Sequence, residues 1–179
     1  MLIREDTVLV IVDVQGNLAQ AMHERAALLD KLTTLIQGVQ ILELPILWLE
    51  HVPEKLGPTV PEIAGLMSNG HPIAKCSFSG CGSMEFMEEL EAVDRKQVLV
   101  AGIEAHVCVY QTAVELIRLG YEVHIVTDAV SSRTPANRAL GIERMRLAGA
   151  LPSSVEMALF ELLRVAEGER FRRLIRLIR

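Results

Sequence analysis

The chain has 179 residues and a mass of 19.8 kDa, the size of one ordinary domain, so a single folding unit over residues 1–179 is expected. Half of the residues are hydrophobic and 23% are charged, which excludes a disordered chain and supplies a sizeable core. The formal net charge of -5 offers no basic field for phosphates, so nucleic acid is not an expected partner and small molecules or proteins are.

The amino terminus, MLIREDTVLVIVDVQ, reads as a strand without a cleavage pattern. No apolar run approaches the roughly 18 residues that span a bilayer, so no membrane partner is expected and cytoplasmic residence is the default expectation. Within that segment Thr7 to Asp13 is a continuous β-branched apolar run that stops at a carboxylate, as a strand buried on both faces of a parallel sheet would. Residues from about Glu24 to Glu43 carry Leu28, Leu29, Leu32, Leu35, Ile36, Val39 and Leu42 at helical spacing. Pro45 then punctuates before a second strand, ILWLEH. From Val52 to Met84 prolines and glycines break the pattern, and a long irregular excursion is expected, a kind of segment that tends to carry function.

Regularity returns with a short acidic helix, Met84 to Ala92, a third strand, QVLVAG at Gln97 to Gly102, and a helix from Val109 to Leu119 ended by Gly120. Another strand, YEVHIVT, leads to a polar loop with Ser131, Ser132 and Arg133. A helix from about Pro135 to Ala148, a short extended Ala150 to Pro152 and a final helical stretch to Arg179 complete the chain. Alternation of strand and helix predicts right-handed βαβ crossovers and an α/β fold, a three-layer doubly wound parallel sheet with helices on both faces. The basic amphipathic tail FRRLIRLIR is expected to pack Phe171, Leu174, Ile175 and Ile178 onto the body or a neighbouring subunit.

In doubly wound sheets ligands bind beyond the carboxyl ends of the strands, where strand order reverses. Asp13 and the segment after Gly102 fall there. In VAGIEAHVCVYQTAVELIRLG a buried strand ends at Gly102, a short irregular segment follows and Cys108 opens a helix. A thiol at a helix amino terminus feels the macrodipole and unpaired amides, which favour thiolate and could stabilise an oxyanion. The competing role for Cys108 is that of a small buried hydrophobe. A carboxylate ending an apolar strand is expensive to bury unpaired, so Asp13 is read as acceptor of the thiol proton, with a turn-bonding role in DVQGN as the alternative. An ammonium at Lys75 would favour the ionised forms of both, though a solvated surface lysine is the commoner role for such a residue. Three cysteines, an odd number without paired C-x-x-C spacing, argue against a disulfide framework and a zinc site.

IVDVQ on the first strand, a lysine in HPIAKCSFSGCG and GIEAHVCV before a long helix together resemble the isochorismatase-like cysteine hydrolase superfamily over nearly the whole chain. LEHVPEKLGPTVPEI resembles most its small isochorismatase-domain proteins of unassigned substrate. The resemblance implies a six-stranded, Rossmann-like parallel sheet and a catalytic triad of Asp13, Lys75 and Cys108. It further implies a non-proline cis peptide joining Ile103 to Glu104, which would turn the Glu104 amide inward to form an oxyanion hole with that of Cys108. It also implies homo-oligomerisation and a structural role for Asp128, bonding the loop of Ser131, Ser132 and Arg133.

The expected activity is that of an amidohydrolase. Asp13 takes the Cys108 proton, Lys75 offsets the charge, the thiolate attacks an amide or ureide carbonyl of a small molecule, and a water activated by the same carboxylate hydrolyses the thioester. Isochorismatases proper cleave a vinyl ether without a nucleophilic cysteine, so Cys108 points away from isochorismate. Nicotinamidases of the superfamily hold a metal with an aspartate and histidines after the second strand. Only Glu50 and His51 stand there, and neither a catalytic metal nor any other cofactor is expected; His71 is read as a solvent-facing loop residue. Gln15, Asn17, Phe78 and His106 are expected to contact substrate, and His124 to be structural. A binding or scaffold protein on the same fold, or a redox sensor that oxidises Cys108, are the other functions open to the chain.

Overall fold

The computed structural model describes residues 1–68 and 70–178. It opens with β1 (Thr7–Val12), α1 (Gly16–Gln20), α2 (Arg25–Ile41) and β2 (Ile46–His51). The excursion follows as two short helices, α3 (Pro53–Leu56) and α4 (Pro61–Ala64), and an edge strand, β3 (Ile73–Lys75). The second half runs through α5 (Met84–Ala92), β4 (Gln97–Ile103), α6 (Cys108–Arg118), β5 (Glu122–Ser131), α7 (Pro135–Leu147), β6 (Leu151–Ser153), α8 (Val155–Leu163) and α9 (Gly168–Ile178). The six strands form one parallel sheet in the order β3-β2-β1-β4-β5-β6, as the family resemblance implied.

Period-two alternation along the central strands divides the core into two layers. Leu9, Ile11, Leu99, Ala101 and Ile103 face one side, where α2 meets them with Leu32, Leu35, Ile36 and Val39, and α8 with Ala158 and Leu159. Val8, Val10, Val12, Val98 and Val100 face the other, against Phe86 and Leu90 of α5, Val109, Ala113 and Leu116 of α6, and Met145 of α7. Each helix presents residues three or four apart, the spacing that keeps one stripe on the sheet. Side-chain caps fix where α5, α7 and α8 begin: Ser83, Thr134 and Ser154 accept the amides of Phe86, Asn137 and Met157.

Strand order reverses between β1 and β4. Their close approach depends on Gly102, which adopts φ +133 and whose added Cβ would stand 2.2 Å from the Val12 carbonyl oxygen. Gly141 does the same for α7: a Cβ there would meet the Ala105 carbonyl oxygen at 2.4 Å. The helix thus lies directly on the loop between β4 and α6.

Three expectations are corrected. The excursion contains β3, which ends at Lys75; three residues between Pro72 and a serine- and glycine-rich turn are too short to show a period. β5 continues to Ser131, so Asp128 lies within a strand. Its Oδ1 accepts the Val155 amide at 2.8 Å at the start of α8, and it stands 3.7 Å from Lys31, rather than bonding the loop after Ser131. The tail divides into α8 and α9, because Arg164 adopts φ +68 and Gly168 φ +82, which end one helix and admit the next at a new angle. Leu174 of α9 is fully buried, and Ile178 packs on the same cluster as α2.

Candidate active site

β1 delivers Asp13 to the switch point between β1 and β4. The residue takes φ +55, a left-handed conformation that aspartate tolerates better than most. Its amide donates to the Leu49 carbonyl at 3.1 Å and its carbonyl accepts the Gln15 amide at 2.7 Å, so the turn is held from both sides. Lys75 leaves the end of β3 and reaches across β2. Its Nζ donates to Asp13 Oδ2 at 2.6 Å and to the carbonyls of Ser77 and Phe78 at 3.2 and 3.1 Å, which satisfies all three ammonium donors. Both side chains are essentially inaccessible, 0% and 1% exposed. Removing two charges from water costs several kcal/mol per ion, so such a pair is poor evidence of a stability device.

The loop that supplies the lysine's carbonyl partners docks on α6. Ser77 Oγ donates to the Ser79 carbonyl at 2.7 Å, Ser79 Oγ to Glu115 Oε2 at 2.6 Å, and the Gly80 amide to Thr112 Oγ1 at 2.8 Å. Thr112 and Glu115 lie about one and two turns along the helix that Cys108 opens. The three expected residues are therefore brought together, each at or beyond the carboxyl end of a different strand. Cys108 is 5% exposed and acts directly on the protonation of Asp13, as Asp13 does on it.

Protonation differs from the expected thiolate. Burial first, and then the Asp13 charge, push the Cys108 thiol up to about 12, against the opposing pull of Lys75. Desolvation also raises Asp13 above the usual carboxylate range, more than Lys75 lowers it. At neutral pH Cys108 is therefore a neutral thiol beside a carboxyl group of increased basicity. Cys81, half-buried, is pushed up to about 11 by desolvation, and Cys76 is exposed.

The expected cis bond is also corrected: no peptide among the described residues is cis, and Ile103–Glu104 is trans. The chain turns instead through Glu104, at φ +58, a reversal that costs less than a non-proline cis bond. Its carbonyl accepts the amides of Val107 and Val109, at 2.8 and 3.4 Å, and the Ala105 amide donates to the Ser131 carbonyl at 2.9 Å. The amides of Glu104 and Cys108 stand outside these bonds.

The remaining candidates separate. Phe78 is 52% exposed and stacks on His51 with ring centroids 5.3 Å apart. Gln15 is fully buried and its amide is spent: Nε2 donates to the carbonyls of His51 and Gly57 at 3.2 and 2.7 Å, and Oε1 accepts the His51 amide at 2.6 Å. It braces the ends of β1 and β2. Asn17 is exposed on α1. His106 places Nδ1 3.0 Å from Ser132 Oγ and 3.3 Å from Glu104 Oε2, while Arg133 Nε donates to Glu104 Oε1 at 2.9 Å. His124 is buried, with Nε2 2.7 Å from Glu122.

Glu50, which stands where nicotinamidases hold a metal, is buried with one oxygen accepting both the amide and hydroxyl of Thr59, at 2.6 and 2.7 Å. Among the described residues the cluster with ligand spacing, His71 with Glu85 and Glu89, lies on the surface. A cavity of about 810 Å³ lined by Ile3, Leu42, Glu43, Arg164 and Arg170 sits at the opposite, amino-terminal end of the sheet. Sequence reading named Glu104 for its amide and not for the carboxylate that meets His106 and Arg133, and it gave His51 no role beside Asp13. For His51 the signal was present: ILWLEH ends an apolar strand on a titratable side chain, as TVLVIVD does.

A doubly wound sheet with a buried Asp–Lys pair and a cysteine at its switch point defines an α/β protein with a crevice suited to nucleophilic chemistry. The Isochorismatase domain matches residues 7–157. The chain belongs to the isochorismatase family and has that family's hydrolase fold. It is 34% identical over 182 residues to the secreted isochorismatase effector Isc1 of Phytophthora sojae, covering 99% of this chain and 87% of that protein. To isochorismatase domain-containing protein 2A of Mus musculus it is 31% identical, covering 98% and 84%. A solved structure described as MAR1 ribonuclease from Caenorhabditis elegans superposes with a TM-score of 0.92 at 31% identity, over 99% of this chain and 91% of that one. Among the described residues no helix is long and apolar enough to cross a membrane.

Proposed function

We propose that the protein is a cysteine-dependent amidohydrolase that cleaves a C–N bond of a small amide or ureide through a thioester on Cys108. The observation that carries this reading is the fully buried Asp13–Lys75 pair beside a buried thiol, an arrangement with a folding cost and a chemical use.

Asp13, made more basic by burial, accepts the Cys108 proton as sulfur attacks the carbonyl carbon, and Lys75 balances the charge that moves onto the thiol. The amides of Glu104 and Cys108, outside the turn bonds of their loop, receive the oxyanion. Asp13 passes its proton to the leaving nitrogen, the C–N bond breaks, and the acyl group remains on sulfur. The same carboxylate then takes a proton from the water that cleaves the thioester, which regenerates the thiol and releases an acid. No metal enters these steps. The net charge of -5 favours a small-molecule substrate over the RNA implied by the nematode protein's description.

Ammonia release from a panel of primary amides and ureides tests the proposal. Cys108→Ala and Asp13→Asn should each lower turnover by about a thousandfold or more, with the parent's acyl group found on the Cys108 peptide. Undiminished release from Cys108→Ala would overturn it. Self-association and residence in the cytoplasm belong to the same reading. The first is supported by exposed Leu140, Leu147, Leu151 and Met157 around the β6 edge, the second by three free cysteines. Light scattering should return a multiple of 19.8 kDa, and a monomer mass would contradict the assembly.

A further inference from the structure

The strand order β3-β2-β1 puts the end of β2 between Lys75 and Asp13, and His51 is the residue that ends it. His51 is the register partner of Lys75, so the two side chains leave the same face of the sheet. Its ring stacks on Phe78, whose carbonyl receives the Lys75 ammonium. It also stands near enough to act on the Asp13 carboxyl. Gln15 grips its backbone through both amide and carbonyl, which fixes where the ring starts.

His51 Nδ1 and Asp13 Oδ1 are buried beside one another's strands and have no hydrogen-bond partner among the described residues. Buried polar atoms are rarely left so, because the lost hydration is not repaid. Asp13 Oδ1 serves the thiol proton, whereas His51 Nδ1 has no use in the chemistry above. A primary amide nitrogen carries two N–H donors and an ester oxygen none.

We propose that His51 is a specificity-determining residue whose Nδ1, in the Nε2–H tautomer, accepts an N–H of the substrate. The site thereby selects flat carboxamides and ureides over esters, with the amide plane lying along the Phe78 and His51 rings. The inference rests on Cys108 being the nucleophile and names the substrate class that nucleophile meets.

Alkylation of Cys108 tests it without a known substrate. Acrylamide and methyl acrylate form the same thioether bond, the thiol proton ending on the α carbon, and differ in the N–H donors. Rates at the Cys108 peptide are compared with those of N-acetylcysteine. The parent protein should favour acrylamide by about tenfold more than the free thiol does. His51→Leu should remove that preference. His51→Asn, which loses the ring but keeps an oxygen near the Nδ1 position, should retain most of it, so a general disturbance of the strand would lower both variants and contradict the inference. Absence of a preference in the parent, or its survival in His51→Leu, would overturn it. Asp13→Asn, measured alongside, should shift the pH dependence of both reagents together. If that shift is absent the triad fails, whereas a shift without any His51 effect leaves the triad standing and the specificity role refuted.

Discussion

Lys75 and Asp13 depend on each other more than on the rest of the core. Lys75→Met keeps the length of the stem but leaves a buried carboxylate unpaired, and should cost about 3–5 kcal/mol in urea unfolding at neutral pH. Asp13 already binds its proton more tightly in the fold than in the unfolded chain, because burial raises it, and loss of Lys75 raises it further. Stability linked to such a group is present at low pH and lost as pH rises through the folded pKa. The deficit of Lys75→Met should therefore be smaller at pH 5 than at pH 8, and a pH-independent deficit would contradict the pairing. Asp13 and Cys108 were legible because each follows an apolar run that ends at a strand terminus, and Lys75 because the family motif carried it. The neutral thiol was not legible, since a helix amino terminus is visible in sequence while the depth of Cys108 and the proximity of two carboxylates are not. Nor was the left-handed conformation of Glu104, since no local pattern records it.

At the scale of elements, the two halves of the site are joined by α6 and the loop after β3. Thr112→Val removes the acceptor of the Gly80 amide, and Glu115→Gln weakens the bond from Ser79. Each should cost about 1–2 kcal/mol, and the pair should be non-additive, because both hold one loop. Additive losses in a double-mutant cycle would show that the loop is not held as a unit. The central strands and long helices were legible from period alone, and ILWLEH matches β2 to the residue. β3 was not, because its pairing with β2 is tertiary and three residues carry no pattern. The same applies to β5 beyond Thr127, where the polar residues Ser131, Ser132 and Arg133 read as a loop although Val130 and Ser131 pair with Gly102 and Ile103.

At the scale of the whole molecule, the alternation of strand and helix implied the layers, while the order of strands came from pairings that no local pattern records. That order is what places three strand ends, and so Asp13, Lys75 and Cys108, in one crevice. α9 closes the opposite layer through Leu174, and Leu174→Ala should lower stability by about 2–5 kcal/mol without altering Cys108 chemistry. The fold also pays for its buried thiol at high pH. Cys108 titrates near 9 when unfolded and at about 12 in the fold, so its stability contribution is intact below pH 9 and declines by about 1.4 kcal/mol per unit from there to pH 12. Cys108→Ala should lose less stability than the parent between pH 8 and 10.5, and equal losses would contradict the raised thiol. The most direct test of the triad is the pH profile of iodoacetamide alkylation at Cys108, resolved from Cys76 and Cys81 by peptide mass spectrometry, in the parent and in Asp13→Asn. Removing the Asp13 charge leaves Lys75 unopposed, so the variant should alkylate at a pH at least one unit lower than the parent while losing turnover. Superimposable profiles, or a Cys108 that reacts like exposed Cys76, would contradict a shared site.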